Sequence, residues 1–297
     1  MTPTDAEMLR EYERCRELVD SKLEECFLSD GIPHKGLAEA MRYSLLAGGK
    51  RIRPVLVLQF CRACGGDEER ALPSACAVEM LHTYSLIHDD LPCMDDDDLR
   101  RGRPANHIVF GECTATLAGD ALQAEAFSLL LSSALPADRV VRMAAYLAEA
   151  AGLSGICGGQ ALDIDGEGKD LGEGEISEIH RYKTAALLKA CALIGVSAAG
   201  GTEEQIGSAS RYAEALGLAF QIRDDVLDCT ADEKQLGKTI GSDAGRDKST
   251  FVSLYGVERC RELVRRKTEE AQRALTGCFD DCGFLVWLAG YLAERTA

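Results

Sequence analysis

No stretch of this chain approaches the roughly 18–20 consecutive apolar residues that a spanning helix needs. The first twenty residues, MTPTDAEMLREYERCRELVD, are charged throughout and lack the apolar core of a secretory signal. A soluble, cytoplasmic protein is therefore expected. Clean two-residue alternation is missing as well, so no segment of four to eight residues reads as a half-buried strand. Positive charge is scarce: 33 Lys and Arg face 49 Asp and Glu, for a net charge of −16. A polyanion needs a basic footprint, which argues against nucleic acid as a general partner. Docking on anionic membranes is disfavoured for the same reason. An anionic substrate would need local cations strong enough to overcome a repulsive overall field. The familiar phosphate loops GxxxxGK[ST] and GxGxxG are absent, and no Ser/His/Asp arrangement presents itself.

What is present points to helices. With 46% apolar residues, the chain is too hydrophobic to be disordered, and 297 residues allow one large domain or two ordinary ones. Leu9, Tyr12, Arg16, Val19, Leu23 and Phe27 recur at spacings of three and four. Similar stretches are expected at about 35–47, 52–64, 70–91, 113–133, 138–155, 175–199, 203–230, 247–276 and 281–295. Gly and Pro clusters separate them, including Gly48-Gly49, Gly102 to Pro104, Gly166 to Gly174 and Gly237 to Gly245. No linker or internal period divides the chain. The reading is a single all-α domain over 1–297, about ten helices in layers, with the most apolar ones buried at the centre. Thirteen scattered cysteines suit small, reduced core residues. Cys61 and Cys64 form one CxxC, but no second ligand pair completes a zinc site.

Two acidic runs interrupt apolar helices: Leu86-Ile87-His88-Asp89-Asp90-Leu91-Pro92-Cys93-Met94-Asp95-Asp96-Asp97-Asp98, and Phe220-Gln221-Ile222-Arg223-Asp224-Asp225-Val226-Leu227-Asp228. Asp224 and Asp228, four residues apart, share a helix face and repel unless a cation lies between them. Asp89 and Asp95 would stand about 240° apart on a regular helix. Pro92 intervenes, and the distortion it imposes could return Asp95 to Asp89. Hard cations take oxygen ligands, and Mg²⁺ uses one or two carboxylates with waters and substrate phosphates. An acidic run is ordinarily a solvated face. Two of them, each at the end of an apolar segment, suggest a multi-metal diphosphate site instead. The spacing does not fit an EF-hand.

Cations stand where such a site would need them. Gly48-Gly49-Lys50-Arg51-Ile52-Arg53-Pro54 joins a flexible turn to a helix start. Arg100-Arg101-Gly102-Arg103-Pro104 follows the first acidic run, Lys183-Thr184 sits in an apolar helix, and Lys238 and Lys248 flank the Gly-rich loop after the second run. Singly, each has an ordinary reading: Lys50 and Arg53 as surface cations, Arg100 and Arg101 as neutralisers, Lys183 as a snorkelling side chain, Gln221 and His82 as satisfied core groups. Together they cluster beside both acidic runs.

GGKRIRP, HTYSLIHDDLPCMDDDDLRRGRPANH, GICGGQALDI, IHRYKTAALLKA, GLAFQIRDDVLD and LGKTIGSD, in this order over about 40–255, resemble the trans-isoprenyl diphosphate synthase (polyprenyl synthetase) family, and within it the bacterial farnesyl diphosphate synthases. The resemblance implies an all-α fold around a deep central cavity and a homodimer. It implies condensation of isopentenyl diphosphate with dimethylallyl and geranyl diphosphate, through ionisation of the allylic partner. Asp89 and Asp95, with Asp90 nearby, would bind two Mg²⁺, and Asp224, with Asp225 and Asp228, a third; Mn²⁺ is a possible substitute. Arg100, Lys183, Lys238 and Lys248 would hold the allylic diphosphate. Lys50, Arg53, His82 and Arg101 would hold isopentenyl diphosphate, with Thr184 and Gln221 near the developing cation.

Product length is expected to follow from the helix carrying Asp89. Ser85 and Tyr84 lie four and five residues before it, about 6–7.5 Å deeper in the cavity. A bulky Tyr84 would close the floor and small Ser85 would leave some room, which favours farnesyl diphosphate, with geranylgeranyl or geranyl diphosphate as alternatives. Tyr84 also has an ordinary reading as core packing. Two departures from the family pattern are Phe251, where Tyr is common, and a tail in which only Arg295 is basic. Rival readings are a terpene cyclase, which has no need of Lys50, Arg53 and His82; a non-catalytic subunit, which would be expected to lose an acidic run; and an acidic helical binding protein.

Overall fold

The structure, a computed structural model, describes residues 4–27, 34–230 and 249–295. The described chain is almost wholly helical. In order it forms α1 (Asp5–Glu25), α2 (Lys35–Leu45), α3 (Ile52–Ala63), α4 (Glu68–Asp89), α5 (Asn106–Phe110), α6 (Glu112–Leu131), α7 (Ala137–Ala151), α8 (Ile156–Gly166), α9 (Glu173–His180), α10 (Ala186–Ala199), α11 (Glu203–Thr230), α12 (Phe251–Ala274) and α13 (Gly283–Glu294). Local chemistry sets several ends. Thr4 and Glu7 form a capping box at the start of α1, and the Asp67 side chain accepts from Glu69 N–H to open α4.

Helix α10 is the axle. Nearly every side chain from Leu187 to Ala198 is buried, whichever way it points, as expected of a helix apolar on all faces. It packs against α3, α4, α7 and α11. Fully burying a Leu or Ile of this set contributes about 1.5–3 kcal/mol. The α3–α10 crossing is close because Gly195 has no side chain: a Cβ there would stand 2.4 Å from the Val57 carbonyl oxygen.

The structure departs from the sequence reading in four places. First, Leu99–Arg100 and Arg103–Pro104 pair as a small antiparallel hairpin, although no strand was expected. The two residues between them, Arg101 and Gly102, both have positive φ (53° and 73°), the condition for a two-residue hairpin turn. Second, α8 fills the segment between the stretches expected at 138–155 and 175–199, where no helix was expected. Third, α9 runs into α10 through a π-turn, Arg181–Ala185. Fourth, α12 is kinked at Gly256, with φ 74° and ψ 163°. Two stretches, Ala137–Gly166 and Glu173–Ala199, reach the length and mean hydropathy (1.3 and 1.2) of a membrane span despite their polar residues. Gly152 breaks the first of them, and the second is 72% buried inside the bundle as core.

Candidate active site

Helix α4 stops at Asp89, and the chain turns back on itself. The Asp95 N–H donates to the Asp89 carbonyl at 2.8 Å and the Asp96 N–H to that of Leu91 at 3.1 Å. This is the return that Pro92 permits, and it brings Asp95 beside Asp89. The two acidic neighbours at the helix end are used differently. Asp89 lines a cleft. Asp90 is only 2% exposed and takes the Arg100 guanidinium, Nε at 2.8 Å. The 99–104 hairpin thus delivers Arg100 to the back of the helix end, where it also reaches Asp97 at 3.3 Å.

The second acidic run lies across the cleft on α11. Asp224, Asp225 and Asp228 all line the cleft. Asp225 also accepts the Phe251 backbone N–H at 3.0 Å, at the start of α12, whose own N-cap is Thr250. Asp224 receives the guanidinium of Arg295 at 2.5 Å. Arg295 in turn lies 3.8 Å over the Phe220 ring, and its carbonyl accepts from Arg223.

The cleft has a volume of about 440 Å³. Its walls bring together most of the residues singled out in the sequence: Lys50, Arg53, His82, Ser85, Asp89, Asp95, Arg100, Lys183, Thr184, Gln221, Asp224, Asp225 and Asp228. Ile156, Ile179, Leu187 and Phe220 supply apolar wall. Three residues stand outside it. Arg101 lines a smaller pocket behind the hairpin, together with Asp90. Asp90 faces Arg100 rather than the cleft. Tyr84 is buried beside it, its hydroxyl 3.6 Å from Cys157 Sγ and its ring edge-on to His88. Lys238 and Lys248 lie outside the described residues.

The electrostatics are those of one cleft lined by both signs of charge. Burial pushes the Asp89 carboxyl up to about 6; Lys183 and Arg100 pull it back, and Asp95 and Asp90 push it further. Lys183 holds Asp163 at 2.7 Å from the π-turn. On the opposite side, burial and the nearby Arg295 lower the Lys50 pKa. Burial, then Arg53 and Arg101, push His82 well below its usual range, so the ring is neutral and its Nε2 accepts from Arg53 at 3.2 Å. The carboxylate set fits Mg²⁺: it offers hard oxygen donors only, and burial, with Asp95 and Asp90 adding to it, pushes Asp89 toward its protonated form. Cys61 and Cys64 are less suited to metal, since burial pushes both thiols up to about 12.

Sequence reasoning missed Asp163, His180, Arg51 and Glu79. Asp163 sits in the GICGGQALDI segment and carried no role there. His180 lines the cleft against Phe251, its pKa pushed down to about 4 by burial. Glu79 had no signal beyond being charged within an apolar helix, and Arg51, though part of the GGKRIRP segment, was given no role there.

Comparison with known proteins bears on the family and the fold. Residues 34–279 match the polyprenyl synthetase family. The chain is 51% identical over 266 residues to the large subunit 1 of the chloroplast heterodimeric geranylgeranyl pyrophosphate synthase of Arabidopsis thaliana, covering 86% of this chain and 71% of that protein. It is 46% identical over 284 residues to a dimethylallyltranstransferase of Fischerella ambigua, covering 95% and 82%. A crystal structure of an FPP/GFPP synthase from Zymomonas mobilis superposes with a TM-score of 0.88 at 33% identity, over 98% of this chain and all of that one.

Proposed function

The chain belongs to the polyprenyl synthetase family and is a prenyltransferase, and from that premise we propose a short-chain trans-prenyl diphosphate synthase that extends dimethylallyl and geranyl diphosphate with isopentenyl diphosphate. One observation carries the reading: Asp89 and Asp95 share a cleft with Asp224 and Asp228, and Lys50, Arg53 and Lys183 line the same space. Two diphosphates and their counter-cations are the chemistry that calls for both signs of charge in one cavity.

The residues divide the work. Lys183 and Arg100, with Lys238 and Lys248, hold the allylic diphosphate, and Lys183 exchanges Asp163 for it on binding. Asp89, Asp95, Asp224, Asp225 and Asp228 would hold divalent ions, Mg²⁺ by the chemistry of the donors, which would supply positive charge opposite the leaving diphosphate. Lys50, Arg53 and His82 receive isopentenyl diphosphate, with Arg101 behind them, and hold its alkene against the cation, which supplies proximity. The Thr184 and Gln221 dipoles face the developing cation. Ile156, Ile179, Leu187 and Phe220 keep water from it. The departing diphosphate takes the final proton.

Two product lengths remain in play. The buried ring of Tyr84 five residues before Asp89 favours the fifteen-carbon product. Relatives named as geranylgeranyl pyrophosphate synthases support the twenty-carbon product at least as well. The decisive assay supplies Mg²⁺, labelled isopentenyl diphosphate, and dimethylallyl, geranyl or farnesyl diphosphate in separate tubes, then sizes the alcohols after dephosphorylation. Farnesol from the first two, with little extension in the third, supports the short floor. In that case Tyr84→Ala is expected to make geranylgeraniol the majority product. Geranylgeraniol from the wild-type protein moves the floor deeper, and the absence of any linear product overturns the reading. A homodimer belongs to the proposal, supported by exposed Leu117 and Leu131 on α6 and Val141 on α7; a monomer by light scattering would remove it.

A further inference from the structure

Two charged residues with no part in the mechanism above lie buried beside the cationic side of the cleft. Glu79, on α4, is 1% exposed, and its carboxylate meets the Arg51 Nη1 at 2.6 Å and the Arg101 Nη2 at 3.9 Å. Arg51 is nearly as buried and has all three ends of its guanidinium engaged: Glu79, Asp20 at 2.8 Å, and the Leu45 carbonyl at 2.8 Å. It therefore faces away from the cleft, in contrast to Lys50 and Arg53 beside it.

The backbone explains why that matters. Gly48 and Gly49 have φ of 80° and 131°, and Arg51, which carries a side chain, has φ of 51°. Arg101, in the hairpin, has φ of 53°. A non-glycine residue in this left-handed region needs its surroundings to hold it there. For both arginines the holding group includes the same carboxylate. Arg101 also donates to the Gly48 carbonyl, and its guanidinium lies flat on Gly49, where an added Cβ would come within 2.9 Å. Glu79 thus ties a turn and a hairpin, separated by about fifty residues of chain, into one surface. It is also the buried anion that allows Arg51, Arg53 and Arg101 to converge before any substrate arrives.

We propose that Glu79, acting through Arg51 and Arg101, is the positioning residue of the isopentenyl diphosphate subsite, holding Lys50 and Arg53, with Arg101 behind them, in the register that one diphosphate fits. The proposal rests on the reading of that subsite given above. It predicts that Glu79→Gln raises the KM for isopentenyl diphosphate roughly 10–100-fold, as loss of a supporting partner does elsewhere. The rise should exceed any change in the KM for geranyl diphosphate, or in kcat, by at least about tenfold. Glu79→Asp, which keeps the charge, should recover part of the loss.

Glu79→Gln leaves Arg51 as a buried charge with one partner fewer, and the variant could fail to fold. The double variant Glu79→Gln/Arg51→Gln removes both charges and carries the same kinetic test. Equal rises in both KM values, or a lower Tm with both KM values unchanged, would overturn the positioning role and leave the subsite standing. Lys50→Ala is run alongside: if it leaves the KM for isopentenyl diphosphate unchanged, the subsite reading itself fails and the proposal with it.

Discussion

Asp89→Ala and Asp224→Ala are each expected to cut turnover roughly 10²–10³-fold or more, with the protein still folded. The two carboxylates come from α4 and α11 and line one cleft, so losing either one removes a wall of the proposed cation site. Their immediate neighbours should behave differently. Asp225→Ala also loses the 3.0 Å bond from the Phe251 N–H at the start of α12, worth about 1 kcal/mol of stability, while the Thr250 cap remains. Asp90→Ala strands Arg100, which is mostly buried. Stability also separates a functional carboxylate from a structural one. Asp89 has its folded pKa raised from 3.8 to about 6, burial being the first cause. The folded metal-free protein then binds more protons than the unfolded chain between about pH 4 and 6, so its stability falls as pH rises through that window. Asp89→Asn should remove this fall, and above pH 6 it should melt higher than the wild type without metal. Added Mg²⁺ should raise the Tm of the wild type and much less that of the variant. Near-normal turnover in Asp89→Ala or Asp224→Ala would sink the assignment of the cation site.

Much of this arrangement was legible in the sequence, for reasons that particular residues show. The acidic runs stood out because Asp is rare inside apolar helices, and the i, i+4 spacing of Asp224 and Asp228 fixed their common face. Pro92 announced the turn that returns Asp95. The sequence could not say which member of each Asp-Asp pair builds the fold. That depends on partners far along the chain, Arg100 for Asp90 and Phe251 N–H for Asp225. Glu79 and Arg51 were silent for the same reason, since a buried ion pair 28 residues apart has no local signature. Arg295 was noted as the only basic residue of the tail, but its contact with Asp224 depends on α13 docking beside α11. Helix α8 was not anticipated: the segment lay between the stretches expected at 138–155 and 175–199, and Gly155, Gly158 and Gly159 thin out its apolar pattern. Glycine marks close approach as readily as it marks a turn, and periodicity does not separate the two uses.

Gly159→Ala should show what that close approach is for. A Cβ at Gly159 would sit 2.1 Å from the Lys183 backbone nitrogen and 2.5 Å from its Cα. Both are backbone atoms, so no rotamer change relieves the contact and α8 must move off the π-turn. The π-turn is gripped from the other side too: a Cβ on Gly217 of α11 would stand 2.6 Å from the Ala185 Cβ. Such turns widen one coil of helix and recur at functional sites. Here the turn carries Lys183 and Thr184, with Asp163 of α8 as the partner of Lys183 at 2.7 Å. Overpacking of this kind costs about 1–3 kcal/mol, or several degrees in Tm for a chain of this size. The functional loss should be larger in proportion, because a displacement of about 1 Å at a positioned catalytic group can cost 10²-fold. The expected result is turnover down roughly a hundredfold in a protein that still melts cooperatively. Gly36→Ala, on α2 with nothing within 4 Å of the new Cβ, is the control and should leave both activity and Tm nearly unchanged. If Gly159→Ala lowers Tm but keeps wild-type turnover, the helices can slide without disturbing Lys183, and the grip on the π-turn would be packing alone.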